Sequence, residues 1–229
     1  MNKNIWLTAI LLVSFLTLLK AQVYDKKTVH AGESLAEVSY YLFPSFRDAK
    51  VQFKKGGELV SKLNFNLLIC QMQFIDPKGD TLNLTRLKDI DEIDFDSTSF
   101  FYNEGYYQVL ANIDGTRLTV LRKVSYEPIK IGALGLRNQS GTGTEEEGSF
   151  VHKSGDKELV LNEDVDIIRV TSFVLIAGGG EMIKANRSGF IKLFSKNSQS
   201  ITAYIKESKP DFNKESDLKK LFAFCTNVH

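Results

Sequence analysis

The chain has 229 residues, of which 43% are hydrophobic and 25% are charged, and its formal net charge is +1. These proportions are ordinary for a globular protein and argue against disorder, a collagen repeat, a disulfide-stapled miniprotein and a polytopic membrane protein. The near-neutral charge gives no electrostatic reason to expect nucleic acid or an anionic membrane as a partner.

The N-terminal 21 residues predict export. A basic start that contains Lys3 is followed by an apolar run from Ile5 to Leu19, and the small residue Ala21 comes shortly after it. This order is typical of a secretory signal peptide at residues 1–21, with the mature chain beginning at Gln22. The alternative is an uncleaved membrane anchor, but a run of about 15 residues is shorter than the roughly 20 that span a bilayer. We therefore expect no transmembrane span after cleavage.

Residues 22–136 predict a β-rich domain. Apolar and polar residues alternate through much of this region, and turn sequences such as Asp76–Asp80 and Asp114–Gly115 interrupt the alternation. The expected strands in its second half are Glu92–Phe95, Ser99–Tyr102, Tyr106–Asn112 and Thr116–Val124. Short strands at this spacing predict an antiparallel meander that forms a sandwich, a roll or a partly open barrel.

The remainder of the chain divides into a loop and a tail. Residues 137–157 predict a mobile loop or linker, because the first twelve of them contain no apolar side chain that burial could stabilise. Residues 158–229 predict a strand pair, with Gly178–Gly180 as its turn, and a small helical tail packed on the β-rich domain. The last helix carries an apolar stripe at helical spacing, formed by Leu218, Leu221, Phe222 and Cys225. The fold class is therefore α+β and β-dominated.

Several segments resemble known proteins. The matching stretches are Tyr41–Phe46, Lys50–Phe53, Leu63–Leu68, Met72–Leu82, Phe190–Phe194, Tyr204–Lys206 and Asp217–Leu221. They resemble exported, functionally uncharacterised β-rich proteins of Bacteroidota that end in a short helical tail. The resemblance implies the periplasm, the outer-membrane periphery or the extracellular space, and it supplies no catalytic residues.

An aromatic cluster is the first candidate for a functional surface. It comprises Phe100 and four further residues, Phe101, Tyr102, Tyr106 and Tyr107. Core filling is the default interpretation for most of these rings. In alternating strands, however, about half of the side chains point away from the core. The sequence therefore predicts a partner surface formed by Phe101, Tyr102, Tyr106 and Tyr107, for a protein or a glycan.

Other polar residues form no motif that identifies a chemistry. The acidic run Asp89, Asp91, Glu92, Asp94 and Asp96 lacks the spacing of a calcium loop and predicts the solvated face of a strand, with a weak cation site as the alternative. The three histidines match no metal spacing, and no GxSxG element is present. We therefore predict no catalytic, cofactor-binding or metal-binding residue and no cofactor.

The two cysteines leave two alternatives open. Cys70 follows what is predicted to be a buried strand, and Cys225 occupies an apolar position of the last helix. They are interpreted either as two separate buried thiols or as a long-range disulfide between the β region and the tail.

Three classes of function remain. The favoured one is a non-catalytic interaction or structural module of the bacterial envelope, whose partner is an envelope protein or a glycan. One alternative is a secreted or periplasmic hydrolase that acts on glycans or peptides through unidentified carboxylates. The other is a small-ligand carrier built on the β core. Paired carboxylates in a cleft would favour the hydrolase, whereas a large apolar cavity would favour the carrier.

Overall fold

The structure, a computed structural model, describes residues 23–32, 40–129 and 164–227. The predicted signal peptide and the predicted loop at 137–157 lie outside these residues. Within the described residues, eleven strands form one antiparallel sheet, and three α-helices follow it. This architecture confirms the β-dominated α+β class with a small helical tail. The strands are β1 (Val23–Val29), β2 (Arg47–Phe53), β3 (Glu58–Asn66), β4 (Gln71–Ile75), β5 (Thr81–Asn83), β6 (Ile90–Phe95), β7 (Thr98–Tyr102), β8 (Tyr106–Ile113), β9 (Thr116–Pro128), β10 (Val165–Ile176) and β11 (Met182–Lys184).

The strand order is a meander except at two places, where β1 pairs with β10 and β2 pairs with β6. Neighbours in the sheet run β1-β10-β9-β8-β7-β6-β2-β3-β4-β5, and β11 pairs with β10 beside β1. Strand β10 pairs with β9 over twelve positions, from Val165 opposite Pro128 to Ile176 opposite Arg117. The strand pair that follows the predicted loop therefore continues the sheet formed by the preceding strands.

Side-chain hydrogen bonds and residues with positive φ determine the conformation of two predicted turns. The Asp76 carboxylate accepts hydrogen bonds from the backbone N–H groups of Lys78 and Asp80, and Gly79 adopts a φ of 92°. At the β8–β9 turn, Asp114 and Gly115 both adopt positive φ, which is the conformation that an Asp-Gly hairpin turn requires. These residues set the short connections of the meander.

The sheet curls until one of its later strands meets an earlier one. The Val124 N–H on β9 donates to the Leu67 carbonyl, just after β3, at 2.8 Å. The concave side holds a cluster that we call the inner core, and ring contacts fill its centre: Phe65 lies 5.5 Å from Tyr106 and 6.2 Å from Phe100 between centroids. The alternation of β3, β7 and β8 places these rings on the same side.

The helical tail covers the other part of the sheet. Its helices are α1 (Arg187–Leu193), α2 (Ser198–Ser208) and α3 (Glu215–Asn227). The Asn186 side chain caps α1 by accepting from the Gly189 N–H at 2.9 Å. The apolar stripe of α3 is buried, and it packs with Leu118 and Leu175 in a second cluster, the tail core. The sequence prediction that this stripe docks on the sheet is confirmed.

The cysteine region differs from the prediction. Strand β3 ends at Asn66, because the Asn66 side-chain oxygen accepts the N–H groups of Leu68 and Ile69 and turns the chain. Cys70 therefore lies in a turn, with a φ of 51°, and does not follow a continuous strand. Cys70 packs against the inner core and Cys225 lies in the tail core, and no disulfide joins these two described residues.

Candidate functional site

The four aromatic residues predicted as a partner surface lie on one hairpin, formed by β7 and β8. Phe101 is opposite Tyr107 in the register, and Tyr102 is opposite Tyr106. Because side chains alternate between the two faces of a strand, the two pairs lie on opposite faces of the sheet. The structure therefore divides the predicted surface into an inner pair and an outer pair.

The inner pair belongs to the core. Tyr106 is only 1% exposed, and its ring contacts those of Phe65 and Tyr102. Tyr102 is half-buried and packs against the same cluster. This corrects the sequence prediction, because a buried Tyr106 cannot contact a partner. The Tyr106 hydroxyl also has no hydrogen-bond partner within the described residues.

The outer pair forms a layered stack with an arginine. The rings of Phe101 and Tyr107 are half-buried, nearly parallel at 15° and 5.4 Å apart between centroids. The Arg117 guanidinium on β9 lies over the Phe101 ring, 5.4 Å from its centroid. Burial, and secondly the Glu104 carboxylate, raise the pKa of Tyr107. We call Phe101, Tyr107 and Arg117 the outer aromatic surface.

A β-bulge brings Arg117 into position. The register of β8 against β9 shifts between Val109 and Ala111, so that Asn112 becomes the partner of Arg117. A bulge bends its strand and increases the local twist, which changes the direction of nearby side chains. Sequence reasoning did not single out Arg117. Leu118 packs in the tail core and Arg117 directly precedes it, so the alternation of side chains along β9 was the signal that could have placed Arg117 on the outer face.

The margin of the outer aromatic surface joins the β7–β8 turn to β11. The Asn103 side-chain amide lies 3.1 Å from the Met182 sulfur. At Gly105, a Cβ atom would lie 3.4 Å from a methyl carbon of Leu121 and 3.8 Å from the Tyr107 ring. A side chain at Gly105 would therefore meet Leu121 and Tyr107 at ordinary van der Waals distance.

The acidic run lies on β6 and at its ends. Ile90, Ile93 and Phe95 are buried, whereas Asp91 is exposed and Glu92 is half-buried. The Gln52 amide donates to Asp94 at 2.5 Å, and the Ser99 hydroxyl donates to Glu92 at 2.6 Å. In the described part of the chain, no three His, Cys, Asp or Glu side chains are grouped as metal ligands would be.

A second polar group lies where β1 meets β10. The Thr28 hydroxyl donates to Asp166 at 2.7 Å, and the Lys26 ammonium lies 2.6 Å from the same carboxylate. The His30 ring contacts Asp164 at 3.1 Å. A nucleophile of a hydrolytic triad would bond to the histidine, whereas the Thr28 hydroxyl bonds to a carboxylate. These contacts therefore do not form a triad on Thr28.

The comparisons with known proteins place the chain in no family. Neither the protein-family models, nor the curated proteins, nor the solved structures give a significant match. Over the described ranges, none of the helices is both long enough and apolar enough to cross a membrane.

Proposed function

We propose that this protein is a non-catalytic interaction module of a bacterial envelope and that it contacts its partner through the outer aromatic surface. The observation that carries the proposal is the stack of Arg117, Phe101 and Tyr107, half-buried on the outer face of the sheet. Tyrosine and arginine are enriched among the residues that dominate binding energy at protein interfaces. A preordered stack also loses little side-chain entropy when a partner binds.

The filled interior of the curl supports this proposal over a ligand carrier. A carrier needs a cavity, which for small ligands commonly measures several hundred cubic ångströms. Here the concave side is filled by the inner core, in which Phe65, Phe100 and Tyr106 are each 1% exposed and the Phe65 ring contacts the other two. Within the described residues, this filled cluster supports the interaction module over the carrier.

Site-specific photo-crosslinking tests the proposed function. A benzophenone-bearing phenylalanine replaces Tyr107 in the full chain, which is expressed in the cells that encode it and irradiated there. The matched control replaces Tyr204, a half-buried ring that stacks on Phe224 at 4.0 Å in the helical tail. We expect an adduct of defined mass from position 107 and not from position 204. No adduct at 107, or the same adduct at both positions, would reject the surface.

Export is tested on the same cells. Because residues 1–21 have the order of a signal peptide, N-terminal sequencing of protein isolated from the envelope should begin at or near Gln22. An intact Met1 would contradict the signal-peptide interpretation. Recovery of the protein from the cytoplasm alone would contradict an envelope location.

A further inference from the structure

The Arg117 guanidinium differs in its electrostatic environment from three other arginines of the described chain. Arg86 and Arg122 each lie 2.9 Å from a carboxylate oxygen, and Arg47 lies 4.0 Å from one. Arg117 is half-buried, and within the described residues its guanidinium contacts the Phe101 ring and no hydrogen-bond acceptor. It is therefore a partly desolvated cation whose N–H donors are available to a second molecule.

The Arg117 guanidinium is suited to bind a carboxylate. A guanidinium presents its donors in a planar fork that matches the two oxygens of a carboxylate, and stacking on an aromatic ring restricts its orientation in advance. The cation–π contact with Phe101 uses none of the guanidinium N–H groups in a hydrogen bond to the described residues. Resting on the proposed function, we propose that the outer aromatic surface binds an acidic segment of a protein partner, with a carboxylate on Arg117 and an apolar or aromatic side chain against Tyr107.

The arrangement of the rings favours a polypeptide over a glycan. A sugar stacks on the open face of an aromatic ring, but the Phe101 ring is covered by Arg117 and stacked on Tyr107. A polypeptide instead supplies a carboxylate and a neighbouring apolar side chain without needing a free face at Phe101. Arginine and tyrosine together are also typical of the central residues of protein–protein interfaces.

Glu104 makes the two ends of the outer aromatic surface differ in charge. Its negative charge acts on Tyr107, whereas the positive charge of Arg117 lies at Phe101. A carboxylate of the partner is attracted to the Arg117 end and repelled from the Glu104 end. We therefore expect the partner to place its acid beside Phe101 and a neutral or basic residue beside Glu104.

Binding to defined polymers tests this inference. The probe is a fluorescently labelled random copolymer of glutamate and tyrosine, and its affinity for the full chain is measured by anisotropy. We expect wild type to bind this copolymer, and to bind a lysine–tyrosine copolymer and polygalacturonate at least about tenfold more weakly. Arg117→Glu should weaken binding of the glutamate–tyrosine copolymer by about tenfold or more. Arg117→Lys, which keeps the charge but loses the fork, should weaken it by a smaller factor.

The control variant changes the charge by the same amount at a different arginine. Arg187→Glu makes the same change of charge at an exposed residue and should leave the affinity within about twofold of wild type, because long-range interactions are screened. An equal loss in Arg187→Glu, or no binding by wild type, would overturn the proposal. Equal or tighter binding of polygalacturonate would overturn it in favour of a glycan. Should Arg117→Glu fail to fold, Arg117→Lys replaces it in the test, and unweakened binding in that variant overturns the proposal.

The copolymer and crosslinking experiments can fail independently. If position 107 crosslinks to a partner but Arg117→Glu leaves both the adduct and copolymer binding unchanged, the interaction surface stands and its proposed acidic partner is wrong. If position 107 gives no adduct, the proposed function fails whatever the copolymer does.

Discussion

Replacing Tyr106 by phenylalanine should stabilise the protein. Tyr106 is 1% exposed in the inner core, and its hydroxyl has no hydrogen-bond partner within the described residues. An unfolded chain hydrates that hydroxyl, whereas the folded chain leaves it unsatisfied. Tyr106→Phe removes this group and keeps the ring, so the contacts with Phe65 and Tyr102 are retained.

The size of the effect follows from two opposing terms. A buried unsatisfied polar group costs about 1–3 kcal/mol. Removing one oxygen gives up a few van der Waals contacts of about 0.1–0.2 kcal/mol each. The free energy of unfolding should therefore rise by about 1 kcal/mol at pH 8, which corresponds to a melting temperature higher by roughly 2–4 °C for a chain of this size.

The pH dependence supplies a second readout. Burial, with the nearby Tyr102, raises the pKa of Tyr106 above its usual 10.0. A main-chain donor of Met72, which would favour the phenolate, opposes this in part. Above pH 10 the unfolded chain therefore releases a phenol proton that the folded chain keeps, and wild-type stability falls as the pH rises. At pH 10.5 this loss amounts to about 0.8 kcal/mol, and Tyr106→Phe avoids it.

Urea unfolding of wild type and Tyr106→Phe at pH 8 and pH 10.5 measures both effects. Tyr204→Phe, which removes a hydroxyl from a half-buried ring of the helical tail, is the control and should change stability little. A loss of stability in Tyr106→Phe at pH 8 would refute the reasoning, because it would show that the hydroxyl makes a bond, for example with the main chain of Met72.

Three further changes probe the tail. Leu221 is 0% exposed, so Leu221→Asp places a charge in the tail core and should lower the melting temperature by at least about 6 °C. The control Lys220→Asp, on the exposed side of the same helix, should change the melting temperature little. Gly189→Ala places a Cβ atom 2.0 Å from the Lys184 carbonyl oxygen and should lower the free energy of unfolding by roughly 2–3 kcal/mol. The control Gly178→Ala places a Cβ atom with no other atom within 4 Å and should not lower the free energy of unfolding. Burial raises the pKa of Cys225 to about 12, so the folded protein contains little of the reactive thiolate at pH 8. In a Cys70→Ser variant, iodoacetamide should therefore alkylate Cys225 about 100-fold faster in urea, which exposes the thiol, than in buffer. Equal rates of alkylation would contradict the buried thiol.

Local sequence signals predicted most of the fold. The alternation of apolar residues predicted the strands, Asp-Gly predicted the β8–β9 turn, and the helical spacing of the last segment predicted the stripe of α3. Each of these features depends on neighbours within a few residues, so a single sequence contains the information. The turn after Asn66 was missed, because the apolar run Leu67–Ile69 resembles a buried strand and the side-chain bonds of Asn66 that turn the chain were not anticipated.

The candidate surface was predicted only in part, for two physical reasons. Alternation indicates that half of the rings point outward, but it does not tell which half until the register of β7 and β8 is known. The contact of Arg117 with Phe101 depends on the bulge at Val109–Ala111 and on pairing across three strands. Such contacts join residues distant in sequence, and no local pattern reports them.

One polar network connects the sheet to the helical tail. Arg122 on β9 donates to the Gln108 side chain and, at 2.9 Å, to Glu215 in the first turn of α3. The Gln108 amide in turn donates to Thr98 at 2.9 Å. Burial lowers the pKa of Arg122 and Glu215 raises it, so the carboxylate offsets part of the desolvation of the guanidinium.

A double-mutant cycle on Arg122 and Glu215 measures this connection. The two side chains are 25% and 36% exposed, so solvent screens them in part and the value of a fully buried pair does not apply. We expect Arg122→Ala to cost about 1–2 kcal/mol and the coupling between Arg122→Ala and Glu215→Ala to be about 1 kcal/mol. Lys219→Ala, which removes the exposed partner of Glu215 on the same helix, should cost at most about 0.5 kcal/mol. A coupling below about 0.3 kcal/mol would show that α3 is held to the sheet by its apolar stripe alone and that Arg122 is merely solvated there.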